Sequence, residues 1–325
     1  MLLIDNGNST DPAFNLALEE HCLLNLPMEP GYLLLYVNDP CIVVGKHQNA
    51  WEEINTDLVD ERGIPVLRRI SGGGTVYHDH GNLNFSFLRP HNSRYFNNYT
   101  HFTGAVAEAL QGMGVPAVLN HRGDILMGDR KISGSAQAMR KGRLGSHGTL
   151  LFRSDLQLIS PVLRPKPGRF SSHSRQSVRS RVGNAGDHLP ASFSMDDLRH
   201  ALAEALLPHP VRHYLPTPDE LAQVRQLADT KYRTWEWNYA ESPPFAMERT
   251  GTINGKEVQL RVCVEKGRIK EVLFHCTAET TVDLGGLSGM LVNCRYQRHS
   301  IHEVLATWGV NHSGQAVEPM LSLLY

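Results

Sequence analysis

No stretch of this chain is apolar for long enough to cross a bilayer, so a membrane-spanning helix is excluded. The 5 cysteines (Cys22, Cys41, Cys263, Cys276, Cys294) are an odd number without a Cys-x-x-Cys pair. That set excludes a disulfide framework and points to reduced thiols. Net charge is nearly absent too, at −1, so no global field draws the chain to nucleic acid or an anionic membrane, and any basic site must be local. Met1-Leu2-Leu3-Ile4 runs straight into Asp5-Asn6-Gly7-Asn8, without a basic leader before an apolar core or an Arg-rich transit pattern. The expectation is a cytoplasmic monomer with neither nucleic acid nor membrane as partner. The one glycine triplet is not followed by Gly-Lys-Ser/Thr and lacks G-x-G-x-x-G spacing, which excludes a P-loop and a dinucleotide fingerprint.

What is present centres on Arg68-Arg69-Ile70-Ser71-Gly72-Gly73-Gly74-Thr75-Val76-Tyr77-His78-Asp79. Glycines without Cβ can turn sharply and bring backbone N–H groups against a ligand. The two arginines supply forked donors suited to phosphate or carboxylate. The segment reads as an anion nest feeding a strand; taken alone, it reads equally as a glycine-rich hairpin turn with two surface arginines.

The 325 residues, 41% hydrophobic and 20% charged, suit one large globular domain or a large and a small one. Asp11-Pro12 opens a helix whose apolar face is Phe14, Ala17, Leu18 and Cys22, with Glu19 and Glu20 outside. Tyr32 to Val37 and Cys41 to Val44 read as buried strands joined by a turn at Asn38-Asp39-Pro40. Gly45 to Asn49 reads as a polar loop, Glu52 to Arg62 as a helix, and Pro65 to Arg68 as a strand. Leu83 to Leu88 alternates like a half-buried strand. His101 to Met113 reads as a helix, residues 124–136 as strand, tight turn and strand, and Gly148 to Phe152 as a strand. Pro165 to Gly186 is rich in Pro, Gly, Ser and Arg and reads as a mobile basic loop. Met195 to Leu207 is a helical stretch. After Trp235, Trp237 and Ser242-Pro243-Pro244 a domain boundary is expected near residue 246. Beyond it lie a hairpin, Glu257 to Val264 and Ile269 to His275, and a helix over His299 to Trp308.

Three further stretches bear chemistry. Lys131 sits on a strand with Ser133, Gly134 and Ala136, where a flexible ammonium can lean over a ligand; the plain alternative is a solvated surface lysine. His147 opens the stretch Gly148-Thr149-Leu150-Leu151, or is a structural histidine. Ser177-Val178-Arg179-Ser180-Arg181-Val182 is a basic loop, open to a ligand or to nucleic acid.

Together, Arg68 to Asp79, then Asp124 with Lys131-Ile132-Ser133-Gly134-Ser135-Ala136, then His147 to Leu151, then Ser177 to Val182, then Trp235 to Tyr239 resemble the lipoate–protein ligase family. Octanoyltransferases and biotin–protein ligases are more distant relatives. The resemblance implies an α+β catalytic domain over residues 1–246, like those of biotin ligases and class II tRNA synthetases, and a small α+β accessory domain over 247–325. It implies two steps: lipoate and ATP, with Mg2+, give lipoyl-AMP and pyrophosphate, and a lysine of a lipoyl-accepting domain then displaces AMP. The acceptors implied are 2-oxoacid dehydrogenase subunits and the glycine cleavage H protein. Carried over by resemblance, Lys131 is catalytic. Arg69, Gly74, Thr75, Val76, Tyr77 and Lys131 line the ATP site. Lys131, Gly73, His78, Ser133 and His147 meet lipoate, with Leu16, Leu18 and Tyr36 as further tunnel walls. Asp124 is a candidate metal or nucleotide contact. The segment from Gly168 to Arg181 resembles an adenylate-binding loop, with Ser177, Arg179 and Arg181 in it.

Octanoyltransferases work through a cysteine thioester, but no cysteine lies between Cys41 and Cys263. A lipoyltransferase that takes preformed lipoyl-AMP shares all five motifs and stays open. A nucleic-acid binder would interleave aromatics with the basic run, and Arg175 to Arg181 has none. His78-x-His80 supplies fewer ligands than a catalytic zinc needs.

Overall fold

The computed structural model describes residues 1–253, 255–276, 284–310 and 317–325. Among these no helix is long and apolar enough to cross a membrane. The fold is α+β, built on three sheets. The largest has eight strands, in the order His213–Tyr214, Leu2–Ile4, Tyr32–Val37, Asn82–Pro90, Arg143–Leu151, Arg130–Arg140, Ile125–Met127, Ala117–Leu119. Its long central strands are antiparallel, and Leu2–Ile4 runs parallel to both neighbours.

Both faces of this sheet are covered. On one, Leu33, Leu35, Leu83, Phe85 and Phe87 pack under the helix Tyr99–Gly112, which Asn98 caps through the N–H of His101 (3.2 Å). On the other, Leu34, Tyr36 and Leu88 meet the helix Pro12–Asn25, capped by Asp11 with Pro12 in its first turn. Double cover corrects two expectations. Asn82–Pro90 is not half-buried: its polar Asn84 and Ser86 are as enclosed as its apolar residues. Glu19 is not outside the first helix but 4% exposed, its carboxylate held by polar groups of the sheet.

Tyr32–Val37 and Cys41–Val44 do not form a hairpin, because the chain changes sheets at Asn38-Asp39-Pro40. Cys41–Val44 is the middle of a three-stranded sheet, parallel to Val66–Arg68 and antiparallel to Val76–His78. The glycine turn therefore bridges the two outer strands over the end of the middle one, rather than closing a hairpin. The helix expected over Glu52 to Arg62 is two, Ala50–Glu53 and Thr56–Glu61. Asn49 and Asn55 each restart the chain by accepting a backbone N–H from Trp51 and Leu58.

The third sheet joins Phe245–Ile253, Lys256–Glu265 and Arg268–Cys276 to Arg169–Ser172, taken from the basic stretch. That stretch is tied down at its far end as well, where Val182 bridges Lys131. The division expected near residue 246 falls inside Phe245–Ile253. A separate core lies under this sheet, with Met247, Leu260, Val262, Ile269, Ile301 and Leu305, and Trp51 of the helix Ala50–Glu53 reaches into it against Phe245 and Tyr296.

Candidate functional site

Lys131 is placed by its strand and by a missing Cβ. A register shift between Ile125 and Leu126 sets it beside Asp124, with Lys131 Nζ 2.7 Å from Asp124 Oδ1. A Cβ at Gly134 would lie 2.8 Å from Lys131 Cε and 2.9 Å from Nζ, so only glycine lets the lysine fold back along its own strand. Asn120 Nδ2 donates to the other carboxylate oxygen (3.1 Å). Lys131 N–H donates to Arg181 O (2.8 Å) and Gly183 N–H to Lys131 O (3.1 Å), so the end of the basic loop is laid along the lysine's backbone.

Lys131 opens onto a pocket of about 470 Å³ whose walls include Glu53, Thr75, Tyr77, Ser133, Ser177 and Arg179. Val76 lines it too. Burial pushes the Tyr77 hydroxyl up to about 12, with Asp79 and Asp155 adding to the effect, so it stays protonated.

The glycine turn is shaped from inside. Arg69, 7% exposed, donates through Nη2 to Gly72 O (2.6 Å) and Gly74 O (2.7 Å), through Nη1 to Val43 O (3.1 Å) and through Nε to Ser71 Oγ (2.9 Å). Gly73 takes φ +92, and a Cβ there would meet the Arg69 guanidinium at 2.9 Å. Arg68 is fully buried; its guanidinium donates to carbonyls of Gly45, Lys46, Gln48, Trp237 and Asn238 and to Ser242 Oγ. Burial pulls both arginines down to about 10, so both remain cationic at neutral pH. The two forks read from sequence as offered to an anion are turned inward.

The outer rim of the turn is capped by the basic loop. Ser177 Oγ accepts from Thr75 N–H (2.8 Å) and donates to the carboxylate of Glu53, which also accepts Ser177 N–H (3.0 Å). Burial raises the Glu53 carboxyl above its ordinary range, against the pull of those hydrogen bonds. Glu52 holds the loop one step earlier, accepting from the hydroxyls of Ser172 and Ser174. Gln48 joins both sides: Oε1 accepts from Gly45 N–H (2.9 Å) and Thr75 Oγ1 (2.8 Å), and Nε2 donates to Arg175 O (3.0 Å) and Ser177 Oγ (3.1 Å). Sequence reasoning missed Gln48, Glu52, Glu53 and Ser71.

A second group forms around His147 and does not share the pocket wall. His147 Nε2 lies 2.7 Å from Ser71 Oγ and Nδ1 lies 2.5 Å from Glu19 Oε1, while Tyr36 donates its hydroxyl to Glu19 Oε2 (3.2 Å). His78 is reached by a chain of amides. Asn6 Nδ2 donates to Asn15 Oδ1 (3.0 Å), Asn15 Nδ2 to Asn38 Oδ1 (2.9 Å), and Asn38 Nδ2 meets His78 Nδ1 at 3.0 Å. Burial, with the Arg69 cation and the neighbouring His147 adding to the effect, pulls His78 down to about 3, so it is neutral. Leu16, Leu18 and Tyr36 are core residues between the first helix and the large sheet. Arg181 lies outside the pocket, paired with Asp129 at 3.1 Å. His80 pairs with Asp39 (2.8 Å), away from the partners of His78.

Residues 11–207 match a family model described as the lipoyl protein ligase A/B catalytic domain. The chain is 39% identical to lipoate–protein ligase 1 of Staphylococcus aureus, over 96% of this chain and 95% of that one. It is equally 39% identical to the lipoate–protein ligase LplJ of Bacillus subtilis, over 100% of both. Its fold is similar to a crystal structure of lipoate–protein ligase A bound with ATP, at a TM-score of 0.62 and 32% identity, covering 74% of this chain and 97% of that one. It is also similar, at 0.62 and 30% identity over 73% and 95%, to a bipartite lipoate protein ligase from Thermoplasma acidophilum, solved in a study of that ligase and its E2 lipoyl domain.

Proposed function

Because this chain belongs to the lipoate–protein ligase family and is a ligase enzyme, we propose that it activates lipoate with ATP and passes the lipoyl group to a lysine of a lipoyl-accepting domain. In the first step a lipoate oxygen attacks the α-phosphorus, the bond to the β-phosphate oxygen breaks, and pyrophosphate leaves. In the second, the acceptor amine attacks the acyl carbon, AMP leaves, and the amine gives up a proton. The observation that carries the reading is Lys131, folded over bare Gly134 and held by Asp124 at the wall of the pocket that Thr75, Val76 and Tyr77 line.

Two anions meet in the first step, and a cation between them lowers their repulsion. Lys131 takes that role, and in the second step it stabilises charge on the acyl oxygen. Thr75 N–H, now capped by Ser177, is the donor that the turn offers to a phosphate once the loop shifts. Arg69 acts through the carbonyls it fixes and holds Gly73 and Gly74 in shape for ATP. The lipoate carboxylate meets Lys131 beside Ser133, and a tail directed toward Gly73, His147 and His78 requires those residues, which stand outside the pocket wall here, to open a path. Glu52, Glu53 and Asp124 would be the carboxylates nearest the site to hold Mg2+ brought by ATP, which would offset phosphate charge; among the described residues no group of three such ligands is assembled, so the phosphates themselves would supply most of its oxygens.

Ser177 and Arg179 close over the adenylate and shield it from water, while Arg181, paired with Asp129 outside the pocket, anchors the end of the loop through its backbone. Residues 247–325 serve as an accessory domain. The acceptors are E2 subunits of 2-oxoacid dehydrogenases and the glycine cleavage H protein, and the enzyme works as a cytoplasmic monomer. The pairing of a similar ligase with an E2 lipoyl domain supports this choice of partner.

Lipoate-dependent exchange of pyrophosphate into ATP, absent with biotin and abolished by Lys131→Ala, is the expected result. Transfer from supplied lipoyl-AMP without exchange would instead make the protein a lipoyltransferase.

A further inference from the structure

We infer that a second, cationic groove on the third sheet is where the acceptor protein docks, through an acidic face. The inference rests on the acyl-transfer reading above and names the surface which that reading leaves unassigned. The groove encloses about 930 Å³ between residues 166–169 and the strands Phe245–Ile253, Lys256–Glu265 and Arg268–Cys276.

Its charge is one-sided. Arg169, Arg249 and Arg261 line it, with Lys166 beside them already paired to Asp57 at 2.6 Å, and Glu248 is the one carboxylate among its described walls. Glu248 reaches Arg261 only at 4.0 Å. Arg249 lies flat on Gly168, where a Cβ would sit 3.2 Å from its Cγ, and its Nε and Nη1 are buried without a hydrogen-bond partner among the described residues. A guanidinium left uncompensated in a partly enclosed place projects its field into the groove. On the edge strand of the sheet Leu273 stands 50% exposed, opposite Arg261 in the register. An exposed apolar side chain beside exposed arginines is a mixture that protein-binding patches use.

The groove is also in the right place. Along one short segment, Pro165, Gly168 and Phe170 face the pocket of Lys131, while Lys166, Gly168 and Arg169 face the groove. The two hollows share a wall one chain thick. A folded domain whose lysine side chain enters the pocket past this segment rests its body beyond it, over Arg249 and Arg261. Complementary charge there speeds encounter and fixes orientation more than it adds affinity. Nucleic acid fits less well, since among the described residues His275 supplies the one ring on the groove wall, and a single ring is not a platform for successive bases.

The test uses Arg261→Glu/Leu273→Asp, two exposed positions away from Lys131, with an isolated E2 lipoyl domain as probe. Calorimetry of that domain binding to wild type and variant reads the groove without catalysis, and pyrophosphate exchange reads activation separately. The expected result is a Kd weakened by about tenfold or more with loss of its salt dependence, exchange unchanged, and the KM for the lipoyl domain raised in parallel. An unchanged Kd overturns the inference. So does a variant that loses binding of a single-stranded oligonucleotide while keeping the lipoyl domain, which would assign the groove to nucleic acid. Absence of exchange in the wild type would remove the ligase reading and leave the groove to be judged on Kd alone.

Discussion

Arg68 and Asn238 hold each other across 170 positions of sequence: the Arg68 N–H donates to Asn238 Oδ1 at 2.9 Å, and its Nη2 donates to Asn238 O at 2.9 Å. With Trp237 Nε1 donating to Arg68 O (2.7 Å), the strand that enters the glycine turn is pinned to the wide helical turn closed by Glu241 N–H and Glu236 O. This buried cation has carbonyls and a hydroxyl as partners, with no carboxylate. Arg68→Ala is therefore expected to destabilise the protein by at least about 3 kcal/mol, because it leaves several enclosed acceptors unpaired. Arg68→Lys should recover little, since a point charge cannot serve a fork. Urea unfolding reads both, and a loss near that of an ordinary surface substitution would dismiss the role.

Gly134→Ala is expected to cut lipoate-dependent exchange about 100-fold with little change in melting temperature, since the new methyl displaces Lys131 Nζ from Asp124. The scale is that of one misplaced transition-state donor, about 2.7–4 kcal/mol. Exchange rates within threefold of wild type would mean that the lysine finds its place without the gap.

Ser177→Ala removes the hydroxyl that joins Thr75, Gln48 and Glu53. Trypsin is then expected to cut at Arg175 and Arg179 several-fold faster, with global stability unchanged, because cleavage follows local opening. A non-hydrolysable adenylate should slow cleavage in the wild type. Equal rates in all three samples would refute a loop held at this point.

His78 makes stability depend on acid. An unfolded histidine takes a proton below about pH 6.5, while His78 stays neutral down to about 3. Between those values the unfolded chain binds more protons, so the contribution present at pH 7 is lost as pH falls, by up to about 1.4 kcal/mol per pH unit. His78→Asn should flatten that slope when urea midpoints are compared from pH 7 to pH 5. An unchanged slope would assign the acid sensitivity elsewhere.

The glycine turn and the Lys131 hairpin were legible because their signals are local: absent Cβ atoms in one place, a strand, tight turn and strand in the other. The surroundings were not, for a physical reason. Glu19 and Glu53 look like solvent-facing helical residues in sequence, and only partners 128 and 124 positions away make burial tolerable for them. Arg68 and Arg69 read as surface charge for the same reason, since their carbonyl acceptors leave no mark in side-chain periodicity. Cys41–Val44 has the composition of a buried strand, but composition does not say which sheet it joins, and the turn before it sends it into a different one from Tyr32–Val37.

The chain of amides behind His78 has a direction. Ser9 O and Val37 O can only accept, so they orient the Asn15 carboxamide; Asn15 orients Asn38, and Asn38 leaves His78 Nδ1 no choice but to receive. With the amides oriented so, the imidazole hydrogen falls on Nε2, a buried atom with no hydrogen-bond partner among the described residues. One tautomer of a ring beside the glycine turn is thus dictated from the first fifteen residues, like a row of compass needles aligned by the one that is clamped. A carboxylate in place of Asn15 would present no hydrogen to Ser9, Val37 or Asn38, and the whole row, ring included, would lose its reason to point one way.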